Sequence, residues 1–146
     1  MTDVTFTPFR AGHLGYLVPQ AGQRRDHAVL LGSGAAELLE SPLALTAWHR
    51  SACLGMAGLL PVHPHRAVAW MLLSELAGPH MLTISRKVKR VAALSPWRRI
   101  EVTVDATFVE GQRFARLLGA KLETPEPMRA YGTDGEDQYM YALVRD

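Results

Sequence analysis

The sequence predicts an α/β (α+β) fold: a mixed, mostly antiparallel sheet flanked by helices, in the order β-α-α-β-β-β-α-β-α-β-β. Three observations predict it. First, three apolar runs between Leu43 and Ser74 are separated only by the short turns "RS" and "HPH". Connections that short join antiparallel neighbours. Second, the apolar period changes at Met81 from strand-like to helical. Third, the alternating stretch "RIEVTVDA" follows that helix. Strand 66–74, helix 80–94 and strand 99–105 then form one βαβ unit, with parallel strands and a right-handed crossover.

The elements follow in order. "VTFTPF" (4–9) alternates with period two and reads as a strand. "AGHLGYLV" (11–18) is a weak short helix that Pro19 ends. "RRDHAVLLG" (24–32) offers Ala28, Leu30 and Leu31 as its apolar residues and stops at a glycine. Ser33 can cap the helix "GAAELLE", whose stripe is Leu38 and Leu39, and Pro42 closes that segment. The meander is Leu43–His49, Ala52–Val62 and Arg66–Ser74. In the next helix Met81, Ile84, Val88 and Val91 share one face, with Arg86, Lys87, Lys89 and Arg90 on the others, and "SPW" breaks it. Ile100, Val102 and Val104 share one face of the following strand. "FVEGQRFARLLG" is a helix with Glu110 early, Arg116 late and Gly119 at its C-terminal cap, as the helix dipole favours. "YGTDGEDQYMYALV" reads as a hairpin turning at "TDGED", with Tyr139, Tyr141 and Leu143 alternating on its last strand.

The bulk numbers suit this reading. The 146 residues fit one domain, 1–146, with a real core. A composition 48% apolar and 21% charged is that of a soluble globular chain. The longest apolar runs, such as "AVAWMLL", are too short to span a bilayer, so no membrane partner is expected. The opening "MTDVTFTPFR" alternates and does not read as a secretory leader. The lone cysteine, Cys53, suits a reducing, cytoplasmic setting and reads as a small core hydrophobe. A net charge of +2 demands no nucleic-acid partner. The run "RKVKR" is either a solvated helix face or a contact for a phosphate, and its helix has no aromatic stacking platform. His63 and His65 of "VHPH", with His49, lack any further metal-ligand spacing and read as a hairpin tip.

The stretch "WMLLSELAGPHML" poses the functional question. It runs from a buried strand through a loop with one glycine into a basic helix, at the place where the meander meets the βαβ unit. Ligands of such sheets favour the carboxyl ends of strands at a switch in pairing. Backbone N–H groups at a helix start favour an anion. Gly78 supplies a small residue, whereas Pro79 removes a donor and Glu75 adds a repelling charge. A plain βα turn, with Pro79 in the favoured first turn of a helix, fits the same residues.

This element order resembles the GNAT superfamily of N-acetyltransferases, over almost the whole chain. That family writes its pyrophosphate loop Arg/Gln-x-x-Gly-x-Gly/Ala. Here the loop is Glu75-Leu76-Ala77-Gly78-Pro79-His80, in which Gly78 matches while Glu75 and His80 depart. "VTVDATFVEGQRFARLLGAKLE" keeps the family's next rhythm and ends at Gly119-Ala120 where Gly-Phe is usual, with its asparagine position near Thr107 or Phe108. The closing "MRAYGTDGEDQYMYALVRD" resembles small phage-encoded proteins of this fold, of the internal-virion-protein-A type.

The resemblance implies an acyl-CoA-dependent N-acyltransferase, with acetyl-CoA or another acyl-CoA as co-substrate and a small-molecule or protein amine as acceptor. It implies donor binding at Leu72, Leu73, Ser74, Gly78, Pro79, His80, Met81 and Thr107, with the strand end pairing the pantetheine amides. Acyl transfer to an amine needs a base and an acid. Glu75 is the candidate base, with Glu101 on the next strand as another, though exposure is a glutamate's ordinary state. The family's frequent tyrosine falls on Ala115, and Tyr131 is the candidate acid in its place, with Tyr139 and Tyr141 as substitutes. The phage subgroup implies a different role, a virion or host-interaction protein with little or no catalysis.

Overall fold

The computed structural model describes Asp3 to Asp146; Met1 and Thr2, which open the alternating N-terminal stretch, lie outside the described residues. The strands are β1 (Val4–Pro8), β2 (Leu45–His49), β3 (Ala52–His63), β4 (Arg66–Leu73), β5 (Arg99–Asp105), β6 (Lys121–Leu122) and β7 (Gln138–Val144). The α-helices are α1 (Arg24–Ser33), α2 (Met81–Leu94) and α3 (Val109–Leu117), with short 3-10 turns between. The strands form one mixed sheet in the order β1-β2-β3-β4-β5-β7-β6. β1 with β2, β2 with β3, and β7 with both β5 and β6 are antiparallel. β4 runs parallel to β5, with Arg66–Val68 facing Arg99–Glu101. The α+β class and the parallel βαβ unit are thus as the sequence predicts.

The chain divides into two compact units: residues up to Leu60 with Trp70–Val91, and Pro61–Ala69 with Ala92–Asp146. In the first, Phe9, Leu14, Cys53, Met56 and Leu72 pack together. A second cluster gathers Leu54, Leu73, Ala77 and Ile84, against which Met81 and Val88 pack. The predicted apolar face of α2 is therefore its buried face. Arg86, Lys89 and Arg90 are exposed, and the Lys87 ammonium stands 5.4 Å over the Phe6 ring. In the second unit Val104, Ala115 and Tyr141 form a core cluster. Ile100 and Val104 are buried together, as period two requires. α3 ends as predicted near Gly119, whose φ is 94°. The Gly119 N–H donates to the Arg116 carbonyl and the Ala120 N–H to that of Ala115, the paired bonds of a Schellman cap.

Several local expectations are corrected. The first helix is a 3-10 helix, Ala11–Tyr16, that stops before Pro19, and Pro19 instead bridges to Ser74. α1 continues past Gly32 and is stopped by Gly34 at φ 69°. It buries no residue fully, and Ala28 and Leu31 are exposed. Ser33 Oγ does accept the Ala35 N–H, but the next element is a single 3-10 turn, Ala36–Leu39, with Ala35 at its cap. Leu38 is exposed while Leu39 packs on the core. Four residues are too few to set an apolar stripe. The C-terminal turn closes where expected, with the Gly132 N–H donating to the Glu136 carbonyl. Its strand pairs elsewhere: β7 lies between β5 and β6, and Met128 bridges Gln138 on the near side of the turn. No helix of the described residues is long and apolar enough to cross a membrane.

Candidate functional site

The carboxyl end of β4 builds the site. Main-chain groups of a strand point alternately to its two edges. The Ser74 N–H donates to the Leu54 carbonyl of β3, 2.8 Å away. The Arg99 N–H of β5 donates to the carbonyl of His65, just before β4 begins, at 2.9 Å. Even-numbered residues therefore face β3, and Met71 and Leu73 turn their N–H and C=O groups to the opposite edge. Gly55 of β3 sits tight against this end. A Cβ on Gly55 would lie 2.7 Å from the Leu72 carbonyl oxygen, so only glycine permits that approach.

The edge at Met71 and Leu73 carries partners that no sequence motif announces. The Gln23 carboxamide donates from Nε2 to the Met71 carbonyl and accepts the Leu73 N–H on Oε1, both at 2.7 Å. The Gln20 N–H donates to the Leu73 carbonyl at 2.9 Å, and Gln20 Nε2 supports Gln23 Oε1 at 3.0 Å. The Glu75 N–H donates to the Val18 carbonyl at 3.1 Å. Two glutamines at i and i+3, outside any periodic element, have no signature that pairs them with a strand some fifty residues on.

Beyond Ser74 the chain turns into α2 through a 3-10 turn, Gly78–His80. Most of the loop's N–H groups are spent. That of Leu76 goes to Ser74 Oγ, that of Ala77 to the Ser74 carbonyl and that of His80 to the Ala77 carbonyl. Pro79 has none. Gly78 is exposed, and a Cβ there would meet nothing within 4 Å. Glu75 is exposed at the mouth of the loop. The imidazole of His80 lies 4.6 Å from that of His49, and its Nδ1 is buried with no hydrogen-bond partner among the described residues. His49 thus stands with His80, apart from the His63–His65 pair, whose rings are 6.3 Å apart. No group of three or more His, Cys, Asp or Glu side chains among the described residues could hold a metal ion. Burial raises the Cys53 thiol above its ordinary value, which suits a core residue.

Leu72, Leu73, Ser74, Glu75 and Gly78 to Met81 lie in the first unit, and Thr107 and Tyr131 in the second. Thr107 donates its hydroxyl to Asp105 Oδ1 at 2.7 Å, and its N–H bonds the same oxygen, in the turn that leads into α3. Tyr131 is about half exposed. Tyr141 is fully buried in the cluster that holds Ala115, and its hydroxyl has no partner among the described residues. Glu101 corrects the expectation of exposure. It is 6% exposed and takes Arg66 on one oxygen and Arg99 on the other, which repays its desolvation. Both oxygens are committed to structure.

No protein-family model matches the sequence, and no curated protein matches it in sequence. Solved structures match over nearly the whole chain. Ard1 from Thermoplasma volcanium superposes with a TM-score of 0.75 at 13% identity, covering 99% of each chain. The acetyltransferase (GNAT family) from Bacillus anthracis superposes at 0.66 and 11% identity, covering 97% of this chain and 95% of that one.

The chain has the GNAT acetyltransferase fold.

A third structure of that fold, yncA from Salmonella typhimurium, was solved with its cofactor acetyl-CoA; it superposes at 0.67 and 12% identity, covering 99% of this chain and 95% of that one. The edge of β4 passes one test of fit for such a molecule. The Gln23 carboxamide stands in for an amide there, one donor and one acceptor matched to Met71 and Leu73. The turn into α2 offers less: an exposed Gly78 with open space where a Cβ would stand.

Proposed function

We propose that the protein is an acyl-CoA-dependent N-acyltransferase, with acetyl-CoA the first donor to try. One observation carries the reading: the end of β4 presents an amide-binding edge, occupied by a side-chain amide, directly before the loop that opens a basic helix, within a GNAT fold. Bound there, acyl-CoA supplies an acyl group activated as a thioester. The Met71 carbonyl and Leu73 N–H would hold a pantetheine amide. Gly78 and the first turn of α2 would face the pyrophosphate, where the helix start favours negative charge. Ser74, Pro79, His80 and Met81 would shape that turn, and Leu72 packs in the core of the same unit. The whole chain, 1–146, would act as one catalytic domain.

The acceptor would be an amine of a small molecule or a protein. Its proton needs a base and the departing thiolate an acid. Exposed Glu75 and half-exposed Tyr131 are proposed for these roles. The test is calorimetric titration with acetyl-CoA, followed by a thiol-release assay against a panel of primary amines. Micromolar binding with amine-dependent release supports the reading. No binding at millimolar acetyl-CoA sinks it.

A second reading is favoured by the loop itself. Glu75 stands where the family carries arginine or glutamine, and most of the loop's N–H groups are internally bonded. A phage virion or host-interaction protein with degenerate catalysis would show this pattern. Mass spectrometry of purified particles decides it, since absence of the chain from them removes the virion version.

A further inference from the structure

We propose that Val18–Gln23 is a strap closing the donor slot of β4, which an acyl donor must displace; this rests on the acyl-CoA reading above. Four main-chain groups at the strand's end are taken by this one short segment. The Leu73 N–H and carbonyl go to Gln23 Oε1 and the Gln20 N–H, the Met71 carbonyl to Gln23 Nε2, and the Glu75 N–H to the Val18 carbonyl. An N–H donor serves one good acceptor at a time, so a ligand amide and the Gln23 carboxamide exclude each other at Leu73.

The strap is built to come away. Leu17 before it is 4% exposed and anchors one end in the core. Val18, Ala21 and Gly22 are exposed, and Pro19, Gln20 and Gln23 are only half-buried. α1, which continues from Gln23, has no fully buried residue either. The segment is thus held mainly by hydrogen bonds to β4, not by apolar burial. Such bonds exchange at little net cost when a ligand amide or water takes their place. A donor that binds only the open form has its affinity lowered by the fraction open. Removing the strap's grip should raise that fraction.

Two variants test this independently. Gln23→Ala removes the carboxamide. Gln20→Pro removes the N–H that holds the Leu73 carbonyl, and the Gln20 backbone, at φ −61° and ψ 155°, already suits proline. Coenzyme A is titrated calorimetrically into the wild type and both variants, each checked for folding by its melting temperature. Amide exchange at Leu73 is followed by NMR in the free proteins. Each variant is expected to bind coenzyme A about tenfold more tightly than the wild type. The Leu73 amide is expected to lose protection in Gln23→Ala. Equal or weaker binding by folded variants overturns the strap while leaving the acyl-CoA reading intact. Failure of all three proteins to bind coenzyme A overturns both.

Discussion

Arg66 Nε lies 2.5 Å from Glu101 Oε1 across the parallel pair of β4 and β5, while Arg99 Nε holds the other carboxylate oxygen at 2.7 Å. Arg99 also reaches Glu123 with its terminal nitrogens. One buried carboxylate thus joins the two strands of the βαβ unit. Glu101→Gln keeps the shape but removes the charge opposite two guanidinium groups. It should cost about 2 kcal/mol, the arginines keeping some solvent. Urea unfolding at pH 7 checks it, and a change below about 0.5 kcal/mol would show the network to be a surface ornament.

Acid should lower the protein's stability in two steps. Burial pulls the Glu101 carboxyl up, but the hydrogen bonds from Arg99 and Arg66 outweigh it and leave the group below its ordinary value. The Arg99 bond lowers Glu123 likewise. In acid the unfolded chain therefore takes up these protons first. Their stabilisation is whole above the unfolded carboxylate value of about 4.3 and is lost as pH falls through the folded values. His13 is lowered too, by burial first and then by the Arg10 charge, with Glu40 opposing. Its unfolded form gains a proton below about pH 6.5, so stability begins to fall there. Urea midpoints measured from pH 8 to pH 3 should show a shallow decline and then a steep one. A flat profile between pH 7 and pH 5 would contradict the role given to His13.

Gly55 and Gly78 should respond oppositely to alanine. At Gly55 the new Cβ would lie 2.7 Å from the Leu72 carbonyl and 2.9 Å from Leu73 Cδ2, and β3 would have to move. A loss of about 2 kcal/mol is expected. At Gly78 the Cβ meets nothing. Gly78→Ala should leave the melting temperature unchanged and weaken coenzyme A binding about tenfold by crowding the phosphates. Unchanged affinity would move the pyrophosphate away from this turn.

Tyr141 is buried with its hydroxyl unpartnered among the described residues. An unpaired buried donor is a cost, so Tyr141→Phe should stabilise the fold by about 1 kcal/mol. Destabilisation would reveal a bound water or a partner for that hydroxyl.

Glu75 is exposed, so Glu75→Gln should leave stability alone. If it serves as the base, turnover should fall about a hundredfold and the acidic limb of the pH–rate profile should disappear. A profile of unchanged shape would assign the base elsewhere.

Much of this fold was written in local pattern. The period-two runs of β1 and β5, the helical spacing from Met81 to Val91 and the Schellman cap at Gly119 all depend on neighbours within one element. Where a segment was too short to have a period, the pattern misled. Leu38 is exposed, and α1 buries no residue fully, because a four-residue turn and a lightly packed helix need no apolar stripe.

The site divides the same way. The sequence alone placed the candidate cleft at the strand-to-helix junction beside Gly78, because a strand end, a glycine and a helix start are all local features. Only the tertiary structure decided which groups there are free. Gln20 and Gln23 claim the edge at Met71 and Leu73, the His49 ring comes beside that of His80, and Glu101 is buried between two arginines. Each of these joins residues more than thirty positions apart, or sets the burial of a charge by the groups packed over it. Hydrogen-bond competition and desolvation depend on distance in space, and no spacing along the chain records them.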